Sequence, residues 1–219
     1  MVVLSHFKGH LLSGFGGAIK NLGMGCASRG GKLYQHSSVK PRLREKKCIA
    51  CGVCAEHCPA NAITVTEVAQ VDEGRCIGCG ECLQRCPTGA YSVSWDQEKV
   101  TFMRRMAAYA AAATKVTRTA LCVNFIVRVA PDCDCMRDTG AFLVEDLGVV
   151  ASTDPVALDA ASQDLVTAAA PPPSSPVASK APAGQDKFRA HHPSTDGKKA
   201  LEEAARFEIG CLDYRLHEV

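Results

Sequence analysis

The chain has 219 residues, a formal net charge of +2 and hydrophobic residues at 47% of its positions. These values allow one or two compact units with a buried core, and the small net charge gives no indication of a nucleic-acid-binding or membrane-binding surface. The unusual quantity is 13 cysteines. Charged and histidine residues interrupt residues 1–12, so no secretory signal is expected. We therefore expect a cytoplasmic protein whose thiols bind metal.

The regions outside the cysteine-rich part predict alternating strands and helices. Residues 2–4 predict a strand, and residues 14–20 form a Gly-rich loop. A helical pattern follows at residues 99–115, with apolar side chains on one face. Residues 119–129 are apolar and β-branched, which predicts a buried strand.

The C-terminal half continues this alternation. Residues 147–151 predict a second short strand. Asp154 and Pro155 are typical of an N-cap and a first helical position, so we expect a helix to about residue 169. Five prolines within residues 171–186 indicate an exposed linker or a long loop. A helix near residues 196–209 and a terminal strand-like segment complete a predicted α/β (or α+β) layer.

An internal repeat lies between these elements, at residues 44–96. Its period is 28 residues, the spacing from Cys48 to Cys76. Asn61 in the first copy corresponds to Gly89 in the second, and both residue types tolerate a left-handed backbone. Each copy reads C-x2-C-x2-C-x3-C-P, formed first by Cys48, Cys51, Cys54, Cys58 and Pro59, and then by Cys76, Cys79, Cys82, Cys86 and Pro87.

This cysteine pattern is typical of bacterial ferredoxins that hold two [4Fe-4S] clusters. Three closely spaced cysteines can direct their sulfurs to three corners of a cubane, and in such ferredoxins the other copy supplies the fourth. Structural zinc is the main alternative, but four-cysteine zinc sites usually separate two C-x2-C pairs by a dozen or more residues. We therefore predict one cluster on Cys48, Cys51, Cys54 and Cys86, and a second on Cys76, Cys79, Cys82 and Cys58.

Motifs outside the repeat resemble a particular family. They are His6-Phe7-Lys8-Gly9-His10, the Gly-rich segment at residues 14–23, Pro131-Asp132-Cys133-Asp134-Cys135, residues 152–157 and His192-Pro193. Together they resemble the bacterial and archaeal domain of unknown function three-six-two, which often carries an inserted ferredoxin unit. The family is described as iron–sulfur binding, without an assigned reaction.

The resemblance implies an α/β domain interrupted by a ferredoxin-like domain. Family members are generally longer at the N terminus, which leaves open that the first part of the α/β layer is missing. The predicted divisions are residues 1–43 (first part of the α/β domain, with the Gly-rich loop), 44–96 (two-cluster domain), 97–170 (second part), 171–187 (Pro-rich linker or loop) and 188–219 (C-terminal helix and strand).

The remaining cysteines suggest one further site. Cys133 and Cys135 would point to the same face of an extended segment and could share a metal. Cys26 or one of the histidines in the first forty residues would complete that third site; simple burial of the thiols is the alternative. Cys122 and Cys211 are expected to be structural, and the pair His191-His192 is expected to be exposed.

The Gly-rich loop at residues 14–20 also has two interpretations. Its backbone N–H groups and Lys20 could bind a phosphate or carboxylate. It matches neither the Walker A pattern nor the dinucleotide fingerprint, and a tight structural turn is the alternative.

Three functions remain open from the sequence. The leading one is electron transfer with a redox partner protein. The second is an oxidoreductase whose α/β domain binds a substrate or further cofactor supplied by the clusters, and the third is a sensor or structural role. No membrane span is expected, because four basic residues interrupt the most apolar stretch, residues 102–123. The sequence indicates no nucleic-acid partner and no oligomeric state.

Overall fold

The computed structural model describes residues 1–36, 41–92, 99–134 and 140–218. The chain divides into two compact units. The larger unit combines Met1–Cys26 with Met103–Val219, and the smaller unit is Ala27–Phe102.

The described residues form nine short strands and eight α-helices. The strands are β1 (Val2–His6), β2 (Lys8–His10), β3 (Gly14–Gly16), β4 (Arg42–Leu43), β5 (Ile63–Val65), β6 (Ala69–Val71), β7 (Tyr91–Ser92), β8 (Leu121–Ile126) and β9 (Gly148–Ser152). The helices are α1 (Ala18–Lys20), α2 (Arg29–His36), α3 (Val53–Glu56), α4 (Glu81–Arg85), α5 (Lys99–Thr117), α6 (Pro155–Ala168), α7 (Lys187–His191) and α8 (Gly197–Ala205). A π-helical turn, Asn21–Gly25, follows α1 directly.

A three-stranded mixed sheet organises the larger unit. The strand order is β1-β8-β9, with β8 parallel to β1 and antiparallel to β9. Alternate residues of β8 are buried, Cys122, Asn124 and Ile126 among them, as expected for a strand with one covered face. The mixed α/β character predicted from the sequence is confirmed for this unit.

Helix α6 covers this sheet. Asp154 caps it by accepting hydrogen bonds from the backbone N–H groups of Val156 and Ala157, and Pro155 occupies the first turn. The helix is buried over most of its length because it also packs against α1 and α8. Three aromatic side chains, Phe7, Phe15 and Phe188, pack together with ring centroids 5.0 to 6.0 Å apart.

The smaller unit consists of two strand pairs and short helices. Strand β4 pairs with β7 and β5 with β6, both antiparallel. The helices α3 and α4 occupy equivalent positions in the two sequence repeats and pack against each other. The buried core of this unit is small: Cys54, Ile63, Ala69, Cys82 and Tyr91.

The long loop predicted for residues 171–186 is observed, and two of its apolar side chains, Val177 and Ala181, are fully buried. One prediction for the C-terminal part is wrong. The terminal strand does not form, since residues 211–218 are exposed and have no strand structure. None of the helices in the described residues combines the length and apolar character that crossing a membrane requires.

Candidate functional site

The first cysteine pocket draws its cysteines from both repeats. It is an open pocket with about 310 Å³ of space between its walls, part of which is continuous with solvent. Three cysteines of the first repeat and one of the second line it: Cys48, Cys51, Cys54 and Cys86. Apolar side chains complete the wall, with Ile49, Val65, Ala69 and Tyr91 among them.

The second cysteine pocket has the reciprocal composition. Its volume is also about 310 Å³, and the lining cysteines are Cys76, Cys79, Cys82 and Cys58. Ile77, Ile63, Ala60 and Ala62 contribute apolar surface. The fold therefore brings together the two sets of four cysteines that the repeat predicts.

Left-handed backbone positions shape both pockets and recur with the sequence repeat. Gly52 (φ 78°) and Gly80 (φ 75°) immediately precede α3 and α4. Asn61 (φ 47°) and Gly89 (φ 59°) turn the chain after the fourth cysteine of each copy. Glycine and asparagine adopt a left-handed backbone with little strain, and they occupy the positions where the chain turns closely around each pocket. Ala50 adopts the same conformation (φ 52°) as its counterpart Gly78 (φ 69°).

Hydrogen-bond donors point at the sulfurs. The backbone N–H of Ala62 donates to Cys58 Sγ and that of Ala90 to Cys86 Sγ, both at 3.2 Å. The two bonds are equivalent in the repeat. The hydroxyl of Tyr91 adds a third, to Cys54 Sγ at 3.4 Å.

Electrostatics in the pockets oppose ionisation of one thiol, Cys82, and favour that of another, Cys86. Burial and, to a smaller extent, the neighbouring Cys79 and Cys76 together raise the pKa of Cys82 to about 12. Burial also acts to raise the pKa of Cys86. Hydrogen bonds from the Thr88 side chain and from nearby backbone N–H groups, chiefly that of Ala90, outweigh burial and lower the pKa of this thiol. A closely packed set of thiolates therefore requires a positively charged group between them.

The spacing of the sulfurs does not match a single zinc ion. Within the described residues, no cysteine belongs to a set of three metal-binding side chains whose ligand atoms all lie within 4.8 Å of one another. Thiolates on one tetrahedral zinc would lie about 3.8 Å apart, given zinc–sulfur bonds of about 2.3 Å. The pockets as they stand are wider than a one-ion site.

The Gly-rich loop binds an internal carboxylate. The backbone N–H groups of Ala18 and Ile19 donate to Asp159 of α6 at 2.8 and 2.9 Å, and Asn124 of β8 donates to the same carboxylate at 2.7 Å. Asp159 is fully buried, and burial raises its pKa to about 6 against the opposing effect of these donors. A Cβ atom at Gly17 would lie 2.3 Å from Asp159 Oδ1. The Gly-rich segment therefore forms strand β3 and helix α1 with a bend at Gly17 between them, and these two N–H groups bind a carboxylate of the fold.

Cys133 lies beside this loop, in a separate cavity of about 210 Å³. Lys20 Nζ is 3.6 Å from Cys133 Sγ. The cavity is also lined by His6, Lys8, Gly9, His10, Gly16 and Asn21. Cys133 therefore approaches the histidines and the loop expected for the third site. Cys26 is exposed and does not line this cavity, and Cys135 lies outside the described residues.

Two other cysteines were expected to be structural. Cys122 is fully buried in β8, as expected. Burial and, to a smaller extent, the negative charges of Asp159 and Asp154 raise the pKa of its thiol to about 11. Cys211 is exposed, and its backbone N–H donates to Asp154 Oδ2 at 2.9 Å.

The interpretation of His191 and His192 as an exposed pair is wrong. Both are half-buried, and both ring Nε2 atoms approach the carboxylate of Asp132, at 3.5 Å for His191 and 2.8 Å for His192. The three ligand atoms lie within 4.8 Å of one another. Two adjacent histidines after a loop do not by themselves indicate a metal site. Their partner Asp132 is about 60 residues away in the sequence, so no local spacing reveals the group of three.

Residues 1–164 match the model of a family described as Domain of unknown function (DUF362). That is well over half of the 219 residues. The chain belongs to the DUF362 family. The resemblance found in the sequence motifs is thereby confirmed at the level of the family. Within this DUF362 chain the matched residues include both cysteine pockets and Asp132, whereas His191 and His192 follow them. No curated protein matches the chain in sequence.

Proposed function

We propose that this DUF362 protein transfers electrons through two [4Fe-4S] clusters, one bound in each cysteine pocket, and exchanges them with a redox partner protein. The observation that carries the proposal is the reciprocal composition of the pockets. Each contains three cysteines of one repeat and the fourth of the other. This is the ligand arrangement of ferredoxins with two cubane clusters.

The surroundings of the sulfurs also support a redox role. Apolar side chains limit access of water, and N–H groups donate to Cys58 and Cys86. Hydrogen bonds to cluster sulfurs and low solvent exposure are the features by which proteins set reduction potentials. When bound, such clusters accept and release one electron at a time without moving protons or heavy atoms.

Structural zinc is less compatible with these pockets. One zinc ion would require the four sulfurs of a pocket to lie closer together than they do.

Anaerobic reconstitution with iron and sulfide tests the proposal. We expect about eight irons and eight acid-labile sulfides per chain, together with reversible reduction that does not release iron. Release of iron on every reduction would favour the sensor role, and tightly held zinc without sulfide would contradict cluster binding.

Two variants test the crossed ligand sets. Cys86→Ala should disturb the cluster held chiefly by the first repeat, and Cys58→Ala the one held by the second. Electron paramagnetic resonance of each reduced variant distinguishes the clusters. Cys211→Ala is the matched control, because this exposed cysteine lines neither pocket. Loss of the cluster in the same repeat as each replaced cysteine would contradict the assignment.

The cavity at Cys133 favours a second candidate, an oxidoreductase that also binds an anionic substrate. Lys8 and Lys20 both line it. Lys8 and His6 both bind the carboxylate of Asp134. Burial acts to raise the pKa of this carboxyl, but the two basic partners outweigh the effect of burial and lower the pKa. Equilibrium binding of phosphate and simple carboxylates to the wild type and to Lys20→Ala tests this alternative. Binding that Lys20→Ala weakens would support a substrate site, and absence of binding would leave electron transfer alone.

A further inference from the structure

We propose that Asp132, His191 and His192 form a binding site for a divalent first-row transition metal ion, separate from the cysteine pockets. Nothing in the proposed electron-transfer role uses these residues. All three belong to the larger unit of the chain.

The positions of the ligand atoms carry this proposal. His192 Nε2 lies 2.8 Å from Asp132 Oδ1, and His191 Nε2 lies 3.5 Å from Asp132 Oδ2. Tetrahedral ligands on a metal with bonds of about 2.0–2.1 Å lie about 3.3 Å apart. One atom from each of the three side chains lies within 4.8 Å of the other two, so small side-chain movements would bring all three to coordination distance of one ion. The two imidazole rings meet edge to face, with centroids 4.5 Å apart, so both Nε2 atoms can face the same point.

The histidines are held in place by the end of helix α7. His191 is the last residue of this helix, and His192 leaves the helical conformation (φ −115°, ψ 81°). Phe188 anchors the helix in the aromatic cluster, and Lys187 Nζ donates to the carbonyls of Thr167 and Pro182 at 2.6 and 3.0 Å. The carbonyl of His192 accepts hydrogen bonds from Thr195.

The aspartate is fixed by the loop that follows β8. The backbone N–H of Gly9 donates to the Ala130 carbonyl at 2.8 Å, and a Cβ atom at Gly9 would lie 1.8 Å from the Pro131 carbonyl oxygen. This close approach fixes the backbone immediately before Asp132. Both halves of the site are therefore preorganised, which reduces the entropy lost on binding a metal.

The donor set and its burial indicate the class of metal. Two imidazole nitrogens and one carboxylate suit zinc, iron, cobalt or nickel better than magnesium or calcium, which prefer oxygen ligands. The side chains keep 20 to 26% of their surface exposed, enough for water or another small ligand to complete the shell. Three protein ligands with open positions are typical of metal sites that do chemistry.

A purely structural explanation predicts a different outcome. In it, each histidine donates a proton from Nε2 to one carboxylate oxygen, and the trio stabilises the fold without a metal. Metal binding requires those same nitrogens to be deprotonated. Binding of zinc by the native protein distinguishes the two explanations.

Zinc serves as the probe, with the cluster-loaded full chain. Equilibrium dialysis followed by elemental analysis gives zinc and iron per chain in one sample, so a failure of the cysteine pockets appears separately as missing iron. We expect the wild type to bind one zinc ion in addition to its iron. The double variant His191→Ala/His192→Ala and the isosteric Asp132→Asn should bind zinc at least about tenfold more weakly, since loss of even an outer-shell partner of a metal costs about 10–100-fold.

His217→Ala is the matched control, because His217 is exposed and distant in sequence from the trio. It should bind zinc as the wild type does. Equal zinc binding by all four proteins, or no additional zinc in the wild type at full iron content, would overturn the proposal. Asp132→Asn keeps the shape of the side chain, so its result remains interpretable even if the double variant folds poorly.

Discussion

Asp159 should make the stability of the larger unit depend on pH in an unusual direction. Burial raises the pKa of this carboxyl from 3.8 to about 6 in the folded protein. The folded state therefore binds the proton more tightly than the unfolded state. The contribution of this group is fully present below pH 3.8 and decreases as the pH rises through 6. Most paired carboxylates behave in the opposite way.

The size of the effect follows from the two pKa values. Proton linkage gives a contribution of about 1.4 kcal/mol at pH 5 and about 0.1 kcal/mol at pH 7. The variant Asp159→Asn cannot titrate at this position. We therefore expect the free energy of unfolding of the wild type, relative to the variant, to be larger at pH 5 than at pH 7 by about 1.3 kcal/mol.

Anaerobic urea unfolding followed by far-ultraviolet circular dichroism measures this difference, because the long helices α5 and α6 contribute much of the helical signal. Asp164→Asn is the matched control: Asp164 is exposed and accepts a hydrogen bond from the Tyr214 hydroxyl. Nuclear magnetic resonance titration of the Asp159 carboxyl carbon provides a second measurement in the wild type. A midpoint near 4, with no change in the stability difference between pH 5 and pH 7, would refute the reasoning.

Two further substitutions test individual contacts. Tyr91→Phe removes the hydrogen bond from the Tyr91 hydroxyl to Cys54 Sγ. We expect redox titration to show a more negative reduction potential for the cluster in the first pocket, since hydrogen bonds stabilise the reduced, more negative cluster. An unchanged potential would argue against this role of Tyr91. Gly17→Ala should lower the free energy of unfolding by about 1–3 kcal/mol, because the new Cβ atom meets the Asp159 carboxylate. Gly25→Ala is the control and should have little effect, because no atom lies within 4 Å of its added Cβ. Equal unfolding midpoints for these two variants would contradict the contact at Gly17.

The cysteine pockets were predictable because the repeat encodes local structure. The spacing of the cysteines sets which sulfurs leave the same loop, and the match of Asn61 with Gly89 correctly indicates two left-handed turns. The helix start at Asp154 was predictable for a similar reason, since an N-cap acts within its own first turn. In the left-handed turns and the helix cap the interacting groups are close in sequence, whereas the fourth cysteine of each pocket was expected from the ferredoxin pattern and not from local spacing.

Features that depend on distant segments were not predictable in this way. The helical pattern indicates α6, but it does not reveal that Asp159 reaches the N–H groups of residues 18 and 19 across the fold. His191 and His192 meet Asp132 only because helix α7 docks through Phe188. The proline-rich stretch at 171–186 has a loop composition, and the burial of its few apolar side chains is decided by the surface they meet.

The small core of the cysteine-rich unit leads to a last prediction, on removal of iron. Its central buried cluster holds five residues, Cys54 and Cys82 of the two pockets among them, with eight partly buried side chains packed against it. A core of this size offsets only part of the conformational entropy of the unit. Cluster binding and folding should therefore be coupled. Hydrogen exchange before and after anaerobic chelation of iron should show amides of residues 48–91 losing protection, while those of α6 keep it. Unchanged protection of residues 48–91 in iron-free protein would mean that the unit folds on its own core.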